Sequence, residues 1–241
     1  MKRHILLCLI LLTAQAAAPE VEITAEPHHH LTFENKSVRV FNVEIPHGSE
    51  TLMHWHRHDY ISVSLGPAEI LNSVKGKPPV TLKFQDGDTR FAQATFAHVV
   101  SDQAAEPFRN VTIEILEDAT LRKSPSKWDA AKNEDRALDI LEGGTRQILF
   151  VKDAIRVSEV ELQPGAVVPM EHQAGAYLLL VAVTDLNLRD DNVRNHEKTF
   201  VPGSFTLDLG SGGQTWLPSK SLHSITNTGK NPAKFVTLEF P

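Results

Sequence analysis

Gly48-Ser-Glu-Thr-Leu-Met-His54-Trp-His56-Arg-His58-Asp-Tyr60 recurs 117 residues later as Gly165-Ala-Val-Val-Pro-Met-Glu171-His-Gln173-Ala-Gly175-Ala-Tyr177. Side chains alternate along a strand, so the first copy, read as one strand, sets His54, His56, His58 and Tyr60 on one face and Trp55, Arg57 and Asp59 on the other. Three imidazoles on one face of a narrow sheet exceed what packing needs. Neutral imidazole is the commonest protein ligand for Zn, Fe, Ni and Cu, and a His-x-His pair on one face brings two ring nitrogens to one ion. In the second copy Glu171, Gln173 and Gly175 stand where the imidazoles were.

The repeat runs well beyond this window. Phe33, Arg39, Val40, Val43, Glu44 and Met53 align without a gap on Phe150, Arg156, Val157, Val160, Glu161 and Met170, and Tyr60 falls on Tyr177. A later block, His98, Pro107, Val111, Thr112 and Glu114, matches His223, Pro232, Val236, Thr237 and Glu239 at an offset of 125. The growth of the offset from 117 to 125 places an eight-residue insertion between Tyr177 and Thr206. Residues 186–198, rich in Asn, Asp and Arg, read as its site and as an exposed hairpin loop. A repeat of this length is a duplicated domain rather than a solenoid unit.

Short alternating runs punctuated by Gly, Pro and Asn dominate the chain, among them 37–45, 60–65, 80–84, 110–116, 155–162, 176–183 and 234–240. Period-two runs at this spacing indicate an all-β protein of antiparallel sheets closed as sandwich or barrel. Between the repeats the character changes, and residues 128–141 suit a short helix ended by Gly143-Gly144. The expected organisation is therefore residues 19–117 as a first barrel, 118–144 as a partly helical linker and 145–241 as a second barrel.

Residues 1–18 read differently. Lys2-Arg3-His4, the apolar run 5–12 and Ala14-Gln15-Ala16 have the form of a secretory signal peptide, and the apolar run is too short to cross a bilayer. The expectation is a secreted or periplasmic protein with no membrane attachment once the signal is removed. Cys8, the one cysteine, would leave with the signal, so disulfides, thiolate metal sites and a cysteine nucleophile are all excluded. Loss of Lys2 and Arg3 moves the formal charge from −6 to −8, which argues against nucleic acid as a partner.

The motif spacing resembles the cupin superfamily, whose first motif is Gly, five residues, His-x-His, three or four residues, Glu, six residues, Gly. Gly48, His54 and His56 fit; Tyr60, or Asp59 with Gly66 seven residues on, stands where the family has its glutamate. In the second motif Gly87 and His98 hold the spacing, Gln93 and Thr95 replace its Pro and Gly, and Asp102 replaces its Asn. The second repeat matches that motif with Gly212, Pro218, His223 and Asn227, Lys220 replacing a Gly. The resemblance covers the chain from residue 19 onward and implies a bicupin: two tandem double-stranded β-helix, or jelly-roll, barrels.

It further implies one divalent metal in the first barrel, held by His54, His56 and His98 without a carboxylate, as in three-histidine dioxygenases of the superfamily. Fe(II) is favoured, with Mn, Ni, Cu or Zn as alternatives. His58 has the face and chemistry of a further ligand or a proton shuttle beside the metal. Tyr60 has the face, but ligates only as tyrosinate; Asp59 has the chemistry but the wrong face, unless a bulge turns the strand. The second barrel keeps only His223 in a ligand place and is expected to be structural.

Other residues carry plainer readings. His28-His29-His30 read as exposed N-terminal residues, Arg39 and Arg156 as partners of Glu44, Glu161 or another barrel carboxylate, and Phe91, Phe96 and Trp216 as core fillers. The leading expectation is a dioxygenase-like oxidoreductase acting on a small oxygen- or sulfur-bearing substrate. A non-catalytic small-molecule or sugar-binding cupin and a structural or oligomerisation protein are the alternatives, and the chain could act as a homo-oligomer.

Overall fold

The computed structural model describes residues 19–116, 138–172, 177–196, 199–218 and 221–240. The segment read as a signal peptide and most of the linker lie outside these residues. The first half forms β1 (Val21–Glu22), a single 3-10 turn (Ile23–Ala25), β2 (His29–Glu34), β3 (Val38–Ile45), β4 (His54–His56), β5 (Tyr60–Ser64), β6 (Ala68–Val74), β7 (Val80–Phe84), β8 (Thr89–Ala92), β9 (Phe96–Asp102) and β10 (Phe108–Ile115). The second half forms β11 (Leu138–Leu141), β12 (Gly144–Lys152), β13 (Ile155–Leu162), β14 (Val167–His172), β15 (Tyr177–Ala182), β16 (Leu186–His196), β17 (Thr199–Leu209), β18 (Gln214–Pro218), β19 (Ser221–Asn227) and β20 (Ala233–Phe240).

Each half is a pair of facing sheets. The first has orders β1-β4-β9-β6-β7 and β2-β3-β10-β5-β8, and the second repeats them as β14-β19-β16-β17 and β11-β12-β13-β20-β15-β18. Register is conserved across the duplication: His54 faces His98, and Glu171 faces His223. The all-β double barrel expected from alternation is therefore the observed architecture.

The structure corrects three readings. Leu138–Leu141, the end of the expected helix, is a strand paired with β12 through a tight turn at Gly143, whose φ is +78°; residues 128–137 lie outside the described residues. Residues 186–196, the described part of the expected 186–198 loop, are a strand: β16 has eleven residues and lies between β17 and β19, with Leu186, Leu188, Asp190 and Asn192 buried. Finally, Tyr60 and Tyr177 do not share a place. Tyr60 faces Glu114, whereas the residue facing the matching Glu239 is Leu178, so one inserted residue enters before β15 and reverses the outlook of Tyr177.

Period-two alternation explains how the barrels join. On β10, Val111 and Ile113 point outward and Phe108, Asn110 and Thr112 point into the barrel. The outward residues of β3, β5 and β10, including Val38, Val40, Ile61 and Val63, pack against Val157, Leu179, Val181, Val236 and Leu238 of the second barrel in one buried core. Trp216, expected inside its barrel, flanks this shared core instead and is stacked by Phe33 at 5.9 Å, while Phe91 packs against the same core and also lines the first barrel's cavity. Arg39 bonds Glu34 and Glu114, and Arg156 bonds Glu239, so both repeated arginines pair with barrel carboxylates.

The interiors of the two barrels differ. Ser62, Ser64 and Asn110 of the first correspond, by strand register, to Leu180, Ala182 and Phe235 of the second. Leu180 and Phe235 are larger than their counterparts and all three are apolar, and they fill the second barrel with a continuous core, whereas the first retains a cavity of about 490 Å³.

Candidate metal centre

Antiparallel pairing of β4 with β9 sets His54 directly opposite His98, and alternation brings His56 to the same inward face. All three are buried, and their ligating atoms lie within 4.8 Å of one another. The Nε2 atoms of His54 and His98 are 3.0 Å apart and those of His56 and His98 3.1 Å apart. Two nitrogens bound at right angles to one ion, each about 2.1 Å from it, lie about 3.0 Å apart.

The tautomers sharpen this point. His54 donates Nδ1–H to the Leu52 carbonyl at 2.9 Å, and His98 donates Nδ1–H to Asn72 Oδ1 at 2.8 Å. Their Nε2 atoms therefore carry lone pairs that face each other, an arrangement a cation stabilises and a hydrogen bond cannot. His56 is held differently: its ring stacks between Tyr60 at 4.2 Å and Phe96 at 5.3 Å, and its Nδ1 has no hydrogen-bond partner among the described residues. Phe96, expected in the core, thus forms a wall of the site.

Burial, then the neighbouring His29, lowers His54 from its ordinary value to about 4. Burial and then the other imidazoles push His56 and His98 down as well, so the triad is neutral and ready to ligate at ordinary pH. Burial raises the Tyr60 phenol, which keeps its proton and disfavours tyrosinate ligation. Tyr60 lines the cavity beside His56 as a hydrogen-bond donor.

His58 is not brought to the triad. The strand ends at His56, residues 57–59 leave the sheet, and His58 is absent from the cavity wall. Asp59 fixes this loop by accepting the Ala94 N–H at 2.7 Å, while Thr95 N–H bonds the His56 carbonyl at 2.9 Å. Thr95 has φ +72°, which explains why the resembling motif has glycine there. A β-branched residue in that region costs about 1–3 kcal/mol. Thr95→Gly is accordingly expected to raise stability by about 1 kcal/mol in urea unfolding, after the added backbone entropy of glycine is offset; an unchanged or lower midpoint would show the turn unstrained.

One neighbour was missed by the sequence reading. The parallel pairing of β1 with β4 anchors residues 21–22 beside His54 and Trp55, and the 3-10 turn then buries Ile23 and Glu26. His29, read as exposed, is 6% exposed at its side chain and lines the cavity. Its Nδ1 meets Glu26 Oε2 at 2.6 Å, and Glu26 also accepts the backbone N–H groups of His28 at 2.8 Å and Leu52 at 3.1 Å. Burial works to raise the Glu26 carboxyl, but the His29 bond and these N–H groups together hold it below the usual range. Glu26 closes the 3-10 turn and His29 begins β2, positions that no alternation pattern announces.

In the second barrel His223 donates to Asp190, with Nδ1 at 3.0 and 2.9 Å from the carboxylate oxygens. Asp190 occupies the place of Asn72, and Gln173 lies outside the described residues. Among the described residues only His54, His56 and His98 form a metal-capable cluster.

The chain has a double-barrel fold of the bicupin kind, with a three-histidine centre able to hold a divalent metal. The similar solved structures include oxalate decarboxylase from Bacillus subtilis at pH 4.6, at 12% identity and a TM-score of 0.62 over 85% of this chain and 68% of that one. A mutant of the same enzyme gives a TM-score of 0.63 at 12% identity over 88% and 74% of the two chains. At this identity the likeness shows the fold alone. No family model matches the sequence, and no curated protein matches it.

Proposed function

We propose that the protein is an exported metalloenzyme, a dioxygenase-type oxidoreductase whose first barrel holds one divalent metal, Fe(II) in preference to Mn, Ni, Cu or Zn. The observation that carries the reading is the facing Nε2 atoms at 3.0 and 3.1 Å, on histidines 54 and 98 whose Nδ1 protons are committed elsewhere. A bound Fe(II) would supply Lewis acidity and a redox centre. The chain's own residues would orient a substrate: Tyr60 donates a hydrogen bond beside His56, and Phe96 shields that ring from water.

The cavity favours a neutral, amphiphilic molecule bearing oxygen or sulfur donors. Its volume of about 490 Å³ sits in the range, about 300–1,000 Å³, that suits such ligands. Its walls combine Val43, Ile70, Phe84 and Phe108 with Ser62, Asn110 and Thr112. The wall has two cations, Lys77 and Arg90, and Arg90 is committed to the Lys83 carbonyl at 2.7 Å and to the Phe84 ring at 4.0 Å. A wall so largely apolar suits such a molecule better than a small dianion like the oxalate for which the similar enzyme is named.

Oxygen uptake by iron-reconstituted protein, measured with flavonols, diketones and thiols, tests the proposal. Uptake with one class, lost in His56→Ala, is the expected result. Thermal stabilisation by a compound without uptake would instead mark a binding module, and neither response would mark a structural protein.

A further inference from the structure

We infer that Asn110 is a substrate-binding residue of the first barrel, its side-chain amide donating to a carbonyl oxygen at the end of the cavity away from the histidines. The inference rests on the metalloenzyme reading above for the other end of that molecule. It names the substrate as an elongated, largely apolar carbonyl compound: a ketone, ester or lactone. Asn110 stands opposite Ser64, four residues along β5 from Tyr60, or about 13 Å of extended chain, and Tyr60 is the residue that stacks on His56.

Asn110 is 7% exposed and lines the cavity. Its Oδ1 accepts the Thr112 hydroxyl at 2.8 Å, which fixes the amide plane and leaves the NH2 group as the donor. That NH2 group has no hydrogen-bond partner among the described residues. Its neighbours in the sheet offer none: Val43 is apolar, and Ser64 gives its hydroxyl to the Gly66 carbonyl at 3.1 Å. Ile45, Ile70, Phe84 and Phe108 are buried apolar residues of the same cavity wall. A buried amide left unbonded costs folding free energy, so its retention calls for something that bonds it. A water needs two or more further polar partners, which an apolar wall does not provide. An apolar molecule with one carbonyl answers the amide and the wall together.

The duplication provides an internal comparison. Asn110 faces Val43 and Phe235 faces Val160, so Phe235 holds the equivalent place in the filled second barrel. Thr237, the counterpart of Thr112, turns its hydroxyl to the Ser158 carbonyl at 3.5 Å instead. The amide and the threonine that orients it occur together in the barrel that keeps a cavity.

The test compares benzophenone with diphenylmethane, alike in shape but for the carbonyl, by titration calorimetry on the purified full chain and on the same chain stripped of metal. Both preparations should bind benzophenone about 10-fold or more tighter. The carbonyl stretch of bound carbon-13-labelled benzophenone should lie below its value in hydrocarbon solvent. Asn110→Leu combined with Thr112→Val should abolish the preference and the shift while melting no lower than wild type; a merely structural asparagine would lower the melting temperature and leave the stretch unmoved. Should that variant not fold, Asn110→Asp, which keeps an acceptor for Thr112 and removes the N–H donors, is expected to lose the same preference. Equal binding of the two probes, binding of neither, or a preference kept in the variants overturns the inference. A preference seen only with metal present places the carbonyl on the ion, which overturns the inference and leaves the metal reading standing. A preference in a native chain that carries no metal upholds the Asn110 contact and overturns the metal reading.

Discussion

His98→Ala is expected to weaken divalent metal binding by well over the roughly 10–100-fold that loss of a partner behind a metal-bound histidine costs. His98 is the member of the triad whose Nε2 stands 3.0 Å from His54 and 3.1 Å from His56, so its removal breaks both close nitrogen pairs at once. Asn72→Ala provides the graded comparison. It leaves all three imidazoles but frees the His98 ring from its 2.8 Å bond to Asn72 Oδ1, and should cost about 10–100-fold. Competition titrations with a chromogenic chelator measure both. Equal affinities for wild type and His98→Ala would contradict the geometry.

Leu238→Ala should destabilise the whole chain by about 3 kcal/mol, within the roughly 2–5 kcal/mol of such truncations, and lower the melting temperature by about 6–12 °C. Leu238 is fully buried on β20, between Val157 and Leu179 in the sheet, and its side chain belongs to the core that the two barrels share. The first barrel covers its outer face with this surface, so its unfolding is expected to move with that of the second in one transition. Calorimetry decides: two separated transitions, with only the later barrel affected, would show that the barrels fold independently.

Much of this architecture was legible because its signals are local or periodic. Alternation announced the strands, and the repeat of Gly48, Arg39 and Glu114 at Gly165, Arg156 and Glu239 announced two barrels with one plan. His54 and His56 declared themselves by spacing, and His98 by its distance from Gly87. What failed depended on pairing rather than pattern. The ungapped match of Tyr60 to Tyr177 concealed a one-residue slip, visible only when Tyr60 faces Glu114 and Leu178 faces Glu239. His58 sits at the right parity, but the strand ends two residues earlier, where Asp59 and Thr95 tie their loops together. Glu26 and His29 enter the site at the end of a single 3-10 turn and the first residue of β2, places that leave no periodicity in the sequence. Residues 186–196 looked like a loop because their polar side chains, Asp190 and Asn192, face the interior of a barrel that uses them to hold His223 and each other.

The most direct measurement is elemental analysis of the native protein beside His54→Ala, prepared identically without added metal. The three-histidine centre predicts about one transition-metal ion per chain in the native protein and its loss in the variant. A metal-free native protein, or equal metal in both, would contradict it.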